Sequence, residues 1–296
     1  MMHPISRCEF FHLRGRTFHV RHWGDEHAPP LFLLHGWMDA SITFQFMAET
    51  LAQRWHLIAP DWRGFGHSEW NGADSYYFPD YLADLDALLD ALSPDQPATL
   101  IGHSMGGIVA SLYAGVRPER VDRLVSIEGF GLKNMSPQNA PARYTQWLDE
   151  RRNPPRFERI ADIPQLAQRL MRRNPHLIEA RAMFLAAHLS VEQPEGGRRY
   201  LADPRHKMVN PVLYRLEEAK ACWRQIQAPV QWIIGGMESE HPLAQSVFAT
   251  LGERRACIKN LQEVHLKECG HMVQWEQPEA CAHAIETFLN TPTENA

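Results

Sequence analysis

Short apolar runs alternate with helix-spaced leucines along the first third of the chain. Residues 8–13 and 17–22 read as two strands joined through Arg14-Gly15-Arg16, an opening hairpin. Residues 31–34, 57–59 and 98–101 follow. Each run is apolar, short and closed by Gly, Pro or a His-Gly pair, the pattern of central strands covered on both faces. Between and after them Tyr81, Leu82, Leu85, Leu88, Leu89 and Leu92 recur at helical spacing, and Ile108, Val109, Leu112, Tyr113 and Val116 do so beyond Gly107. Residues 123–127 supply another strand. This alternation predicts a mostly parallel sheet wrapped by helices.

From residue 130 to residue 223 the strand signals stop. Ile163, Leu166 and Leu170, then Leu177, Ala180, Phe184 and Ala187, mark amphipathic helices between prolines. Strand-like runs resume at 230–234 and 264–266, and a last helix begins with Pro278 in its first turn and turns Ile285, Phe288 and Leu289 inward. The pattern predicts an α/β core made of residues 1–129 and 224–296, interrupted by an all-helical insert at 130–223. No internal repeat or low-complexity tract is present.

At 296 residues, 44% apolar and 22% charged, the chain can bury a large core, and collagen, disorder and repeat arrays drop out. The charge-poor stretch 31–47 is broken by His35-Gly36 and Asp39, well short of the roughly 18 apolar residues a membrane span needs. Residues 1–18 carry His, Arg and Glu where a secretory signal needs a continuous apolar segment, so no targeting peptide is expected and the cytoplasm is the default. The five cysteines are scattered without a Cys-x-x-Cys pair, as reduced thiols would be. A net charge of −5 argues against nucleic acid as a partner, because phosphate neutralisation needs a basic surplus. Residues 129–221 hold 16 Lys and Arg against 10 Asp and Glu, a surplus of six that leaves −11 for the rest. Their arginines, including Arg151, Arg152, Arg172 and Arg173, could steer anionic substrates, but decoration of exposed helices is the plainer expectation.

The chemistry centres on Gly102-His103-Ser104-Met105-Gly106, placed between the strand ending at Ile101 and the helix that starts near Met105. A strand that turns sharply into a helix lifts its central serine into a cleft, and flanking glycines let the backbones approach. The helix N-terminus behind Ser104 offers the Met105 amide to an oxyanion formed when a carbonyl is attacked. The bland alternative is an ordinary serine in a Gly-rich turn, which would lack this strand-turn-helix setting. A serine hydroxyl needs a base and a group to orient it. His271 follows Cys269-Gly270 beyond the last predicted strand, and the chain order Ser, acid, His selects it as the base from sixteen histidines.

Leu33-Leu34-His35-Gly36-Trp37, Asp61-Trp62-Arg63-Gly64-Phe65-Gly66-His67-Ser68, Gly102 to Gly107 and Gly270-His271 with Gln277-Pro278-Glu279 together resemble the α/β-hydrolase superfamily. The resemblance spans nearly the whole chain outside the insert. It is closer to serine-hydrolase-like and esterase-type members than to epoxide hydrolases or haloalkane dehalogenases, which place Asp where Ser104 stands. It implies an α/β-hydrolase fold, a second oxyanion amide at Trp37, and a helical cap over the pocket. His35, Gly36 and Asp61 would then shape loops rather than react.

The acid departs from the commonest pattern. By the resemblance it would fall on Ser239, between Glu238 and Glu240, so the familiar Asp is lost. Glu128 ends the strand 123–127, a position where some superfamily members keep their acid. A carboxylate ending a buried apolar strand is costly unless paired or functional, whereas Glu238 and Glu240 sit in a polar loop. Glu128 is therefore favoured over those two, with a strand-end salt bridge to an arginine of the insert as its plain alternative.

Other signals are set aside. Gly64-Phe65-Gly66 lacks the third glycine of a dinucleotide fingerprint, with Glu69 in its place, and no Gly-Lys-Ser/Thr loop exists. Asp80, Asp84, Asp86 and Asp90 fall opposite the leucine stripe, where solvated carboxylates are routine, and His19 and His22 point to opposite faces of a strand. No cofactor and no metal are expected. The expectation is a hydrolase acting on an ester or related carbonyl of a small molecule. A carbon–carbon hydrolase, lactonase or perhydrolase on the same triad, or a non-catalytic binding homologue, are the alternatives, and homo-oligomerisation is left open.

Overall fold

The computed structural model describes residues 5–72, 75–235 and 242–292. β1 (Arg7–Leu13) and β2 (Arg16–Trp23) form the expected hairpin. β3 (Pro30–Leu34), α1 (Gln45–Leu51), β4 (His56–Pro60), α2 (Pro79–Leu92), β5 (Ala98–His103), α3 (Met105–Val116) and β6 (Val121–Ile127) then alternate. The insert supplies α4 (Ala140–Arg152), α5 (Ile163–Arg173), α6 (Glu179–His188), β7 (Ser190–Glu192), β8 (Arg198–Tyr200) and α7 (Leu216–Trp223). The chain returns with β9 (Val230–Ile234), α8 (Pro242–Phe248), α9 (Leu251–Arg255), β10 (Leu261–His265), α10 (Val273–Glu276) and α11 (Pro278–Leu289). No described helix is long and apolar enough to cross a membrane.

The main sheet has the order β1-β2-β4-β3-β5-β6-β9-β10, antiparallel at β1/β2 and β2/β4 and parallel elsewhere. Parallel strands must be covered on both faces, and alternate residues achieve this. Phe32, Leu34, Leu100, Leu124 and Trp232 cluster with Leu85 and Leu88 of α2, Val109 and Tyr113 of α3, and Trp223 of α7. Leu31, Leu33, Ile101, Val125 and Ile233 cluster with Met47 and Leu51 of α1 and Ile285 and Phe288 of α11. The apolar runs at 31–34, 57–59, 98–101, 123–127 and 230–234 are all strands. The last strand begins at Leu261, earlier than the expected 264, because an edge strand needs only partial cover and its Gln262 and Glu263 hide it from a search for apolar runs.

The insert is not purely helical. β7 pairs antiparallel with β8 across Gly196 and Gly197, and bridges link Ile160 to Arg198 and Phe65 to Ala202. Strands of three residues rich in Ser, Glu and Arg leave no apolar alternation to read. α7 lies against α3, where a Cβ on Gly115 would stand 2.1 Å from the Cys222 carbonyl oxygen, so this helix joins the layer that covers the sheet. In α6 the buried face is Ala182, Leu185 and Ala186, and Ala180 is exposed. Leu177 is buried but precedes the helix, so it could not set the helix phase.

The acidic residues of α2 do not share one environment, and the expectation that all four are solvated fails at Asp84. Its side chain is fully buried, one turn from Tyr81 and Leu88 inside the leucine stripe. It accepts hydrogen bonds from Arg63 Nε and Nη2, both at 2.5 Å, and from Arg14 Nη1 at 2.6 Å. Arg63 follows β4 and is itself only 4% exposed, so its guanidinium needs a planar carboxylate partner. Removing one partner of a buried pair leaves an uncompensated charge, at a cost of about 3–5 kcal/mol, whereas an exposed pair contributes about 1 kcal/mol or less. Asp84→Asn should lower the denaturant midpoint by the larger amount and Asp90→Asn, which removes the exposed partner of Arg120, by the smaller. Equal small changes in the two unfolding curves would contradict this.

Candidate active site

β5 runs to His103, α3 starts at Met105, and Ser104 makes the whole turn between them at φ 49° and ψ −114°. A non-glycine residue at positive φ is strained by about 1–3 kcal/mol and persists only where its surroundings impose it. Here they do. The Ser104 N–H donates to the Ile127 carbonyl at 2.8 Å, and the Ile108 N–H donates to the Ser104 carbonyl at 3.0 Å. α3 also presses against the strand ends. A Cβ on Gly106 would stand 2.1 Å from the Leu34 carbonyl oxygen, and one on Gly102 would stand 2.5 Å from the Gly106 backbone. The glycines of the motif thus have a steric cause.

Ser104 is partly exposed, and its Oγ lies 3.0 Å from His271 Nε2. His271 Nδ1 lies 3.3 Å from Glu128 Oε2. An ionised carboxylate only accepts, so Nδ1 carries the proton in that contact and Nε2 is left to accept from the serine hydroxyl. Glu128 follows β6 at φ 53°, with its side chain 8% exposed. Its N–H donates to the Ile233 carbonyl at 3.0 Å, and its Oε1 accepts from the Gly235 N–H at 2.7 Å. The strand-end glutamate is therefore held by the end of the neighbouring strand and by His271, with no arginine of the insert in the contacts described. The competing Glu238 and Glu240, with Ser239, lie outside the described residues. Gly36 packs on Ser104, since a Cβ there would come within 3.2 Å of the Ser104 Cβ, and this sets the following Trp37 beside the elbow. Met105 is the first residue of α3, whose leading N–H groups have no acceptor within the helix. All five residues singled out in the sequence thus gather at one edge of the sheet.

Several polar residues that hold these loops were missed or read only as loop formers. His35 donates from Nδ1 to the Gly36 carbonyl at 2.7 Å and accepts the Trp62 N–H at Nε2 at 2.9 Å. Burial pushes its basicity down to about 4, so it is a neutral brace. Asp61 accepts from Ser41 N–H at 2.6 Å, His19 Nδ1 at 2.7 Å and His67 N–H at 2.9 Å. Burial alone would raise its carboxyl, but the His19 ring and the other donors hold it well below the usual range. Glu276 Oε2 accepts the Gly270 N–H at 2.5 Å and so fixes the Cys269–Gly270 peptide, one residue before His271. Among the described residues no group of three or more His, Cys, Asp or Glu is placed to hold a metal ion.

The insert docks on the same edge. Gly66 N–H donates to the Leu201 carbonyl, Asp203 N–H to the Gly64 carbonyl, and Trp37 Nε1 to the His206 carbonyl at 3.2 Å. The His206 ring is stacked between Phe65 and Tyr76, with ring centroids 3.7 and 3.6 Å away. On the other flank Arg181 of α6 bonds Glu279 and the carbonyls of Trp275 and Glu276. His271 nevertheless keeps 49% of its side chain exposed. A cavity of about 480 Å³ lined by Pro29, Trp55, Pro94, Pro97 and Arg123 opens at the opposite edge, among the N-terminal strand ends, and touches none of these residues.

Comparison with known proteins bears on this arrangement. A family model described as alpha/beta hydrolase fold matches residues 29–278. The serine hydrolase-like protein of Danio rerio is 28% identical over 294 residues, covering 94% of this chain and 85% of that one. Among solved structures, the thioesterase domain from the curacin biosynthetic pathway superposes with a TM-score of 0.82 at 26% identity, over 95% of this chain and 99% of that one. A hypothetical protein from Pseudomonas aeruginosa PAO1 does so with a TM-score of 0.82 at 25% identity, over 96% and 99%.

One buried carboxyl gives stability a dependence on pH. Asp39, in the loop after β3, is 2% exposed, accepts the Ala40 N–H at 2.8 Å and lies 3.5 Å from Gln274 Nε2. Burial pushes its carboxyl up to about 7, only partly offset by hydrogen bonds from Thr43 and Ala40. In the unfolded chain the same group titrates near about 4. Between those values the unfolded chain loses a proton that the folded chain keeps, so this group's contribution to stability, complete below pH 4, is lost as the pH rises through 7. Asp39→Asn should therefore gain on the unaltered protein in melting temperature from pH 4 to pH 7 and hold that gain above it. A difference independent of pH would contradict the assignment.

Proposed function

The chain belongs to the alpha/beta hydrolase fold family, and from that premise we propose that it is a serine hydrolase of esters or related carbonyl compounds, with Ser104 as nucleophile, His271 as base and Glu128 as acid. The observation that carries the reading is the unbroken run of contacts from Ser104 Oγ to His271 Nε2 at 3.0 Å and from His271 Nδ1 to Glu128 Oε2 at 3.3 Å. Hydrogen bonds of catalytic groups are often long without substrate and tighten in the complex.

In this mechanism Ser104 Oγ attacks the carbonyl carbon as its proton passes to His271 Nε2. Glu128, already fixed on the Gly235 N–H, orients the imidazole and offsets the charge of the imidazolium. The amides of Met105 and Trp37 receive the oxyanion, in a site where their dipoles are set before the reaction starts. Collapse of the tetrahedral adduct breaks the bond to the leaving group, which takes the proton from His271, and leaves an acyl-Ser104 ester. Water, deprotonated by His271, then releases the acid. The insert at 130–223, apart from α7, which packs on the sheet layer, is the cap of this cleft, supported by its contacts with Trp37, Gly64 and Gly66. Chemistry of this kind runs on esters and thioesters alike, and the cap selects between them.

Ser104→Ala should lose up to about six orders of magnitude in kcat if the three groups act as a unit, and should no longer be labelled by a fluorophosphonate. Glu128→Gln should cost about four orders, by analogy with the loss of the orienting acid elsewhere, while Glu238→Gln and Glu240→Gln stay near the unaltered rate. A panel of p-nitrophenyl esters of increasing acyl length, with an acyl thioester beside it, supplies the readout. Full turnover in Ser104→Ala would remove the reading, and a large loss confined to Glu240→Gln would move the acid.

A further inference from the structure

The second residue of the Gly-x-Ser-x-Gly motif occupies a place that steric need alone does not explain. His103 ends β5, and its side chain is 1% exposed. Its Nε2 lies 2.9 Å from the main-chain carbonyl oxygen of His271. A carbonyl only accepts, so Nε2 carries the ring proton. Nδ1 is buried and has no hydrogen-bond partner among the described residues, and it faces the oxyanion loop, where a Cβ on Gly36 would stand 2.8 Å from it. One imidazole thus fills the gap between the nucleophile's strand, the loop that leads to Trp37 and the loop that carries the base.

The geometry points to His103 as a positioning residue: its Nε2–H, bonded to the His271 carbonyl, sets the distance of the base from Ser104, and its ring sets how closely the loop at Gly36 approaches the same serine. The inference rests on the reading of Ser104 and His271 as nucleophile and base. The Nε2 bond of the His271 ring changes as the proton moves and the Nδ1 bond to Glu128 turns the ring to the right orientation, so neither by itself can fix how far the base stands from Ser104. Its main chain can. Glu276 holds the Cys269–Gly270 peptide, one residue before His271, through the Gly270 N–H, and His103 holds the His271 carbonyl that follows. The two rings lie 5.0 Å apart, where a second cation would oppose the imidazolium that forms during attack. Burial keeps His103 far less basic than an ordinary histidine, and the proximity of His271 and His35 acts in the same direction, so the brace stays neutral.

Three variants separate anchoring from simple packing. In His103→Gln the amide nitrogen reaches about as far as Nε2 and retains the donor. In His103→Leu the volume is kept and the donor lost, and in His103→Asn the amide is too close to the backbone to reach. With p-nitrophenyl esters, His103→Leu and His103→Asn should lose about 10- to 100-fold in kcat, the scale of a base displaced by about an ångström, with KM within about twofold. His103→Gln should recover most of that loss. If His103→Leu does not fold, judged by thermal melting, the Asn and Gln pair gives the same comparison. Equal losses in the Gln and Asn variants, or no loss in either, would overturn the inference. Fluorophosphonate labelling of Ser104 in the unaltered protein is scored separately. No labelling there removes the serine-hydrolase reading and this inference with it, whereas normal labelling with equal variant rates removes only the role of His103.

Discussion

A strand must become a helix within one residue at Ser104, and the rest of the edge is arranged around that requirement. The backbone at φ 49° is unfavourable for a residue with a side chain, so close contacts on every side have to impose it. They come from the carbonyls of Leu34 and Ile127, at the ends of the two strands that flank β5. The sheet order therefore decides what surrounds Ser104: with β3 on one side and β6 on the other, the loops after those strands are the first to border the hydroxyl. The loop after β3 brings Trp37, and the loop after β6 brings Glu128.

Loops of this length do not stay in place by apolar packing alone, and buried polar groups do the holding. His35 ties the loop after β3 to Trp62, Asp61 ties it to β2 and to His67, and the Arg63–Asp84 pair ties the loop after β4 to α2. Each of these groups is buried with several partners, which is the condition under which burial of a polar or charged group is tolerated. The insert uses the same loops, since Gly64, Phe65 and Gly66 receive Asp203, His206 and Leu201. The insert and this edge of the sheet are thereby linked through residues 61–66 and Tyr76, in addition to the contacts of Trp37 and of Arg181 on the other flank.

Much of this was legible in the sequence wherever a single physical pattern dominated. Strands buried on both faces leave uninterrupted apolar runs, and β3, β5, β6 and β9 were read on that basis. The Gly-x-Ser-x-Gly segment was legible because its glycines and its strand-turn-helix setting have one steric explanation. What escaped had mixed signals. The first three residues of β10 lie on an edge strand among polar side chains, β7 and β8 are three residues each, and Asp84 sits at helical spacing with the leucines but reads as a solvated carboxylate until Arg63 is seen against it. His103 and Glu276 escaped for a further reason: each is defined by a main-chain group, 168 residues away for His103 and six for Glu276, and no side-chain pattern records which carbonyl or N–H a buried side chain will meet.

The position of Glu128 follows from the sheet rather than from the loop that bears it. β6 and β9 are parallel neighbours, with Ile127 opposite Ile233, so their C-terminal ends lie about 4.8 Å apart. The carboxylate of Glu128, launched from the end of β6, reaches the imidazole of His271, which follows β10. From β6 it must cross the end of β9, and a glutamate can do this with its longer side chain while its second oxygen accepts the Gly235 N–H on the way. That bond serves two purposes. It satisfies a buried carboxylate oxygen, and it removes the rotational freedom that the extra methylene of Glu over Asp would otherwise leave, so the carboxylate is held in place although it reaches across a neighbouring strand.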